Sequence, residues 1–139
     1  DPDYGPSQIH PTAGCVAVGA RPILIAYNID LQTDQVRIAQ KIARTIREKN
    51  GGKKGIKAIG LGIDHRGCAQ VSMNVCDYRA TSLLEVFEAV KKLAEELGSG
   101  IRSSEIVGLC PQEALPSDET KSLQLENFEP AQILENHLP

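Results

Sequence analysis

Cys68-Ala69-Gln70-Val71-Ser72-Met73-Asn74-Val75-Cys76 alternates strictly: Ala69, Val71, Met73 and Val75 are apolar, and Gln70, Ser72 and Asn74 between them are polar. A period of two is a β-strand with one dry face and one wet face. Just before it, Ile56–Asp64 reads as a second strand, and Asp64-His65-Arg66-Gly67 supplies the turn of a hairpin. Outward from this hairpin a helix is expected on each side. Upstream, Val36, Ala39, Ile42, Ala43 and Ile46 recur at helical spacing, with Arg37, Lys41, Arg44 and Glu48 on the other side. Thr33 or Asp34 is placed to cap this helix, and Asn50-Gly51-Gly52 to end it. Downstream, Ser82 and Glu85 form a capping box ahead of the stripe Leu83, Val86, Phe87, Val90, Leu93, Ala94 and Leu97, and Gly98 stops it. Outermost, the uncharged run Ile23-Leu24-Ile25-Ala26-Tyr27-Asn28-Ile29 and the segment Glu105–Cys110, closed by Pro111, read as strands.

Strand–helix–strand–strand–helix–strand is the α+β, ferredoxin-like βαββαβ plan, a four-stranded antiparallel sheet with two helices on one face. The other face then carries Gln70, Ser72 and Asn74 from a central strand, and Asn28 or Tyr27 from its neighbour. Such a face is either solvated or lines a ligand or a second domain, and periodicity alone does not choose between these.

The flanks differ in composition. Residues 1–22 hold Pro2, Pro6, Pro11 and Pro22 with Gly5, Gly14 and Gly19, an irregular lead-in in which Cys15-Val16-Ala17-Val18 is a candidate short strand. Residues 116–139 are polar, with scattered Leu123, Leu125, Phe128, Ile133 and Leu134, a tail that is ordered by docking on the body. The division expected is 1–22, 23–115 and 116–139.

At 139 residues the chain has the length of one domain, able to bury roughly 70% of its unfolded surface. Fifteen basic against 18 acidic residues, a net charge of −3, argue against nucleic acid as a partner, and the central strands lack the aromatic pair of an RNA-binding sheet. No apolar run approaches the ~18 residues of a membrane span. The start Asp1-Pro2-Asp3 is not a signal peptide and reads as part of something longer. Cys15, Cys68, Cys76 and Cys110 have no metal-ligand spacing, so no metal is expected. Along one strand Cys68 and Cys76 would lie ~26 Å apart and cannot bridge. Reduced core thiols in a cytoplasmic protein are the simpler reading.

Gly60-Leu61-Gly62 is no dinucleotide motif, because the third glycine is misplaced and no helix follows; Gly51-Gly52-Lys53-Lys54-Gly55 lacks the ending of a phosphate-binding loop. His65 falls in a turn and His137 in the tail. His10, before Pro11, is held extended, but an isolated loop histidine is more often surface than catalyst. Arg37, Lys41, Arg44, Arg47, Lys49, Lys53, Lys54 and Lys57 are eight of the 15 basic residues. A solvated helix face explains them more simply than a landing site for an acidic, polyglutamate-like ligand tail.

Five stretches, collinear over roughly residues 1–115, carry a resemblance: Asp3-Tyr4-Gly5-Pro6-Ser7; His10-Pro11-Thr12-Ala13-Gly14-Cys15-Val16-Ala17-Val18-Gly19-Ala20-Arg21; Leu24-Ile25-Ala26-Tyr27-Asn28-Ile29; Ala69-Gln70-Val71-Ser72-Met73-Asn74; and Glu105-Ile106-Val107-Gly108-Leu109-Cys110-Pro111. Together they resemble glutamate formiminotransferase, in the second subdomain of its formiminotransferase unit. The resemblance implies transfer of the formimino group from N-formimino-L-glutamate to tetrahydrofolate in histidine degradation. It implies two ferredoxin-like subdomains with folate in a tunnel between their sheets, and a homodimer in the intact enzyme. The segment matching the family's folate-contacting loop is Gly5, Pro6, Ser7, Gln8, Ile9, His10, Pro11, Thr12, Ala13 and Gly14. Asn28, Gln70, Ser72 and Asn74 are the candidates to line the substrate. The family's catalytic histidine belongs to the first subdomain, so no catalytic residue is expected in this chain and the chain alone should be inactive. From another class, the rival is a stand-alone ferredoxin-like module that binds a small molecule or protein without catalysis.

Overall fold

A computed structural model describes residues 1–118 and 121–139. Strand β1 spans Ile25–Leu31, helix α1 Val36–Ile46, β2 Ile56–Ile63, β3 Cys68–Val75, α2 Leu83–Glu96 and β4 Ile101–Val107. The strands form one antiparallel sheet in the order β2-β3-β1-β4, and both helices pack on the same face, which is the α+β ferredoxin-like arrangement expected.

The dry face is built by alternate residues of each strand. Ile25, Tyr27, Ile29 and Leu31 of β1 and Ala69, Val71, Met73 and Val75 of β3 are all buried beneath Ala39, Ile42, Ala43 and Ile46 of α1 and Leu83, Val86, Phe87, Val90 and Ala94 of α2. Each isoleucine or leucine sealed in this way contributes about 1.5–3 kcal/mol relative to exposure. Gly60 and Gly62 acquire a function here. A Cβ at Gly60 would lie 2.2 Å from the Gln40 nitrogen and 2.4 Å from the Ala39 carbonyl carbon, so α1 crosses β2 with backbone against backbone.

The capping box of α2 is present: Ser82 Oγ accepts from Glu85 N–H at 3.2 Å, and Glu85 Oε2 accepts from Ser82 N–H at 2.8 Å. The start of α1 differs from expectation. Gln35, not Thr33 or Asp34, is its N-cap, and Thr33 Oγ1 accepts from Gln35 N–H at 3.2 Å in a turn before the helix. The helix ends at Ile46, and a 3₁₀ turn with left-handed Gly51 completes the reversal.

Two strands are displaced from their expected limits. β1 runs on through Asp30 and Leu31, and β4 starts at Ile101 and stops at Val107, before left-handed Gly108. Polar Arg102-Ser103-Ser104 hid the true start of β4. Ser103 pairs with Asp30 and Ser104 with Ile29; Ser104 Oγ receives the Tyr27 hydroxyl at 3.1 Å and donates to the Leu123 carbonyl at 2.5 Å. Burial pushes the Tyr27 phenol well above its ordinary range, so this hydroxyl is a permanent donor. Cys15–Val18 forms no strand and is exposed, which places Cys15 outside the core; Cys68 and Cys110 are buried and Cys76 is half-buried.

Beyond Val107 the chain returns along the free edge of β4. Ser104 N–H donates to the Gln124 carbonyl and its own carbonyl accepts from Glu126 N–H, both at 2.9 Å. Cys110 makes the same two-way contact with Gln132 and Leu134 at 2.7 and 2.9 Å. Leu123 is completely buried. One edge of the sheet is thereby covered, which removes a row of unpaired backbone groups.

Candidate functional site

Strand register sets the wet face in rows. Ile59, Ser72, Asn28 and Glu105 lie side by side across β2, β3, β1 and β4; Leu61, Gln70, Asp30 and Ser103 form the next row, and Cys68 stands opposite Ile63 at the end. The β2 side is apolar, with Ile59 and Leu61 exposed, while the middle and the β4 side are polar and charged. Of the sequence candidates, Asn28, Gln70, Ser72 and Asn74 do share this face. Gln70 is buried, Asn28 and Ser72 are half-buried and Asn74 is exposed. Tyr27 points into the core.

An ionic network reaches two of them, Asn28 and Gln70. Asp30 Oδ1 accepts from Gln70 Nε2 at 2.8 Å, and Glu105 Oε1 accepts from Asn28 Nδ2 at 2.9 Å. Arg66, from the turn between β2 and β3, reaches Asp30 Oδ2 at 3.1 Å, Glu105 Oε2 at 3.5 Å and Glu126 of the tail at 2.9 Å. Asp30 is buried, and its Oδ2 faces the guanidinium without receiving an aligned hydrogen bond. Arg102 donates to the Arg66 carbonyl at 2.8 Å, tying the turn to β4. Burial, with the Asp30 carboxylate beside it, raises the Cys68 thiol pKa and keeps it protonated.

Sequence reading missed Asp30, Arg66, Glu105 and Glu126. Asp30 was within reach, because it stands two residues beyond Asn28 and a longer β1 puts both on one face. Glu105 becomes visible once β4 is started at Ile101. Nothing local points to Arg66 or Glu126, which meet only when the turn and the tail converge.

Gly5, Pro6, Ser7, Gln8, Ile9, His10, Pro11, Thr12, Ala13 and Gly14 are each exposed, and the structure does not bring them to the sheet. They form a local turn: Gly14 N–H donates to the His10 carbonyl at 3.0 Å, and His10 Nδ1 accepts from the N–H groups of Ala13 at 3.1 Å and Thr12 at 3.3 Å. Two donors on Nδ1 leave the ring proton on Nε2 and make His10 a brace for the turn. Gly5 and Gly14 adopt positive φ, as the reversals require. His65 is exposed, as is His137. Among the described residues no group of three or more His, Cys, Asp or Glu could hold a metal ion, and no helix is long and apolar enough to cross a membrane.

The family model for the formiminotransferase domain matches residues 26–133. The glutamate formimidoyltransferase of Streptococcus pyogenes is 49% identical over 138 residues, covering 99% of this chain and 46% of that protein. That of Thermoplasma acidophilum is 39% identical over 137 residues, covering 99% of this chain and 45% of that protein. The formimidoyltransferase-cyclodeaminase of Dictyostelium discoideum is 42% identical over 120 residues, 82% of this chain and 22% of that protein. The chain spans about half the length, or less, of the curated relatives it matches.

Proposed function

The chain belongs to the formiminotransferase domain family, and on that premise we propose that it is the folate-binding half of a glutamate formimidoyltransferase. In this reading the assembled enzyme moves the formimino group of N-formimino-L-glutamate to tetrahydrofolate, a step of histidine degradation in the cytoplasm. The observation that carries the proposal is the alignment of nearly the whole chain with about half of two glutamate formimidoyltransferases. The other half is the missing partner, an N-terminal subdomain that supplies the catalytic base; the intact enzyme is a homodimer.

The wet face supports the reading, because its exposed Ile59 and Leu61 beside a polar centre suit a surface covered by another subdomain with ligand between. The Gly5–Gly14 loop contacts the folate, offering backbone donors and acceptors at close approach, while Asn28, Gln70, Ser72 and Asn74 line the substrate side. Without its partner the chain holds half a tunnel and no base for the attacking amine, and so has no transferase activity.

Calorimetric titration of this chain and of Asn74→Ala with a stable reduced folate tests the half-site. Micromolar binding weakened by the substitution is expected for a preformed site; no binding at millimolar folate by folded chain refutes an autonomous one. Adding the N-terminal subdomain back should restore formimino transfer. A correctly folded pair that fails to transfer refutes the function itself.

A further inference from the structure

Residues at the start of α1 and the end of α2 enclose a cavity of about 470 Å³, within the size range of small-molecule sites. It lies on the helix side of the sheet, away from the wet face. Its walls are of two kinds. Ile38 and Leu97, both half-buried and packed on the core, are apolar. Arg37 and Lys41 stand one turn apart on α1 and so share one side of the helix. Among the described residues no acidic side chain lines the cavity, and neither cation makes an ion pair.

Arg37 is oriented without being neutralised. Its Nε and Nη2 both donate to Gln35 Oε1, at 3.1 and 2.8 Å, so a neutral amide holds the guanidinium while its Nη1 end stays free. Thr33 Oγ1, in the same wall, accepts from Gln35 N–H at 3.2 Å, which leaves its own hydroxyl proton to donate. A solvated helix face explains Arg44, Arg47 and Lys49, which line no part of the cavity. It does not explain a guanidinium held by a neutral side chain beside an apolar wall. The complement of such a cavity is an organic anion with a hydrocarbon body, and a carboxylate matches the paired N–H donors of a guanidinium. We propose that this cavity binds a small amphipathic carboxylate, its charged end received by Arg37 and Lys41 and its carbon chain laid against Ile38 and Leu97. The site goes beyond the proposed transfer reaction and does not depend on it.

Hexanoate is the probe, titrated into this chain while the methyl signals of Ile38 and Leu97 are followed by NMR. Saturable shifts of both are expected. Hexanamide has the chain without the charge, and acetate and inorganic phosphate have charge without the chain; all three should bind more weakly. Arg37 and Lys41 are exposed, so Arg37→Gln and Lys41→Gln leave the core alone. Each should weaken hexanoate binding by about three- to fivefold, the scale of an exposed ion pair. Arg44→Gln removes the same charge from the same helix outside the cavity and should leave binding nearly unchanged. Equal binding of hexanamide would make the cations irrelevant, and equal binding of acetate or phosphate the apolar wall; either result overturns the assignment. So does a loss in Arg44→Gln as large as that in Arg37→Gln, which marks a diffuse field, or the absence of saturable binding at millimolar hexanoate. Folate is titrated in parallel, and its failure to bind counts against the half-site while leaving the assignment of this cavity standing.

Discussion

Gly60→Ala should destabilise this protein far more than a single methyl in a strand ordinarily does. Gly60 has no positive φ, so alanine suits its backbone, and the restricted unfolded chain would by itself stabilise by about 0.4–1 kcal/mol. Opposing this is contact with a helix. The new Cβ would stand 2.2 Å from Gln40 N, 2.4 Å from Ala39 C and 2.5 Å from Gln40 Cα, all backbone atoms that no rotamer change can move. Restoring van der Waals separation requires α1 to lift from β2 by roughly 1 Å or more. The lift disturbs Ala39, Ile42, Ala43 and Ile46, the whole buried side of α1. Overpacking of this kind costs about 1–3 kcal/mol, occasionally more, so with the opposing gain subtracted a net loss of about 1–2 kcal/mol is expected. In urea, with a slope of about 1–3 kcal/mol per molar for a small domain, the midpoint should fall by on the order of 1 M. Gly19→Ala is the control, since nothing lies within 4 Å of a Cβ there and its effect should stay within about 0.5 kcal/mol. If Gly60→Ala unfolded within about 0.5 kcal/mol of the parent, close helix–strand approach would not be the reason for this glycine.

Leu123→Ala tests the tail: the side chain is fully buried beside Ser104, so the loss should be about 2–5 kcal/mol, and a loss under about 1 kcal/mol in chemical denaturation would show the tail to be dispensable. Glu85→Gln tests the start of α2. Hydrogen bonds from the Ser82 backbone and hydroxyl hold the Glu85 pKa below its ordinary 4.5, so its contribution is present above that value and is lost as pH falls through the folded value. Stability of the parent should therefore drop more steeply than that of Glu85→Gln below pH 4.5, and parallel curves would refute the linkage.

The element order was legible because the periods are clean: two in β3, helical in α1 and α2, with a capping box to start α2. The ends of β1 and β4 were not, and for one reason. The hydrophobic pattern marks a strand only where its wet side meets water, and Asp30, Ser103 and Ser104 are polar yet buried. A buried polar residue needs a partner distant in sequence, such as Gln70 for Asp30 or Tyr27 for Ser104, and no local window contains both. For the same reason the candidate site was half visible. Asn28, Gln70, Ser72 and Asn74 follow from alternation, and Asp30 and Glu105 from the full strand limits, whereas Arg66 and Glu126 follow only from a folded turn meeting a folded tail.

The placement of those two groups separates what holds the fold from what the face offers a ligand. The core lies between the sheet and the helices and contains no charge; its one large polar group, the Tyr27 hydroxyl, is satisfied within it. Every ion pair to Asp30, Glu105 and Glu126 lies on the opposite side, where the hairpin turn supplies Arg66, β1 and β4 supply Asp30 and Glu105, and the tail supplies Glu126. Neutral replacements that keep shape on that face should leave the core packing intact, because no dry-face side chain takes part in the network. The tail links the two sides: Leu123 enters the core three residues before Glu126 reaches Arg66. Docking the tail therefore fixes one of the three carboxylates at the cluster, and the charge presented on the open face depends on a hydrophobic contact made at the sheet's edge.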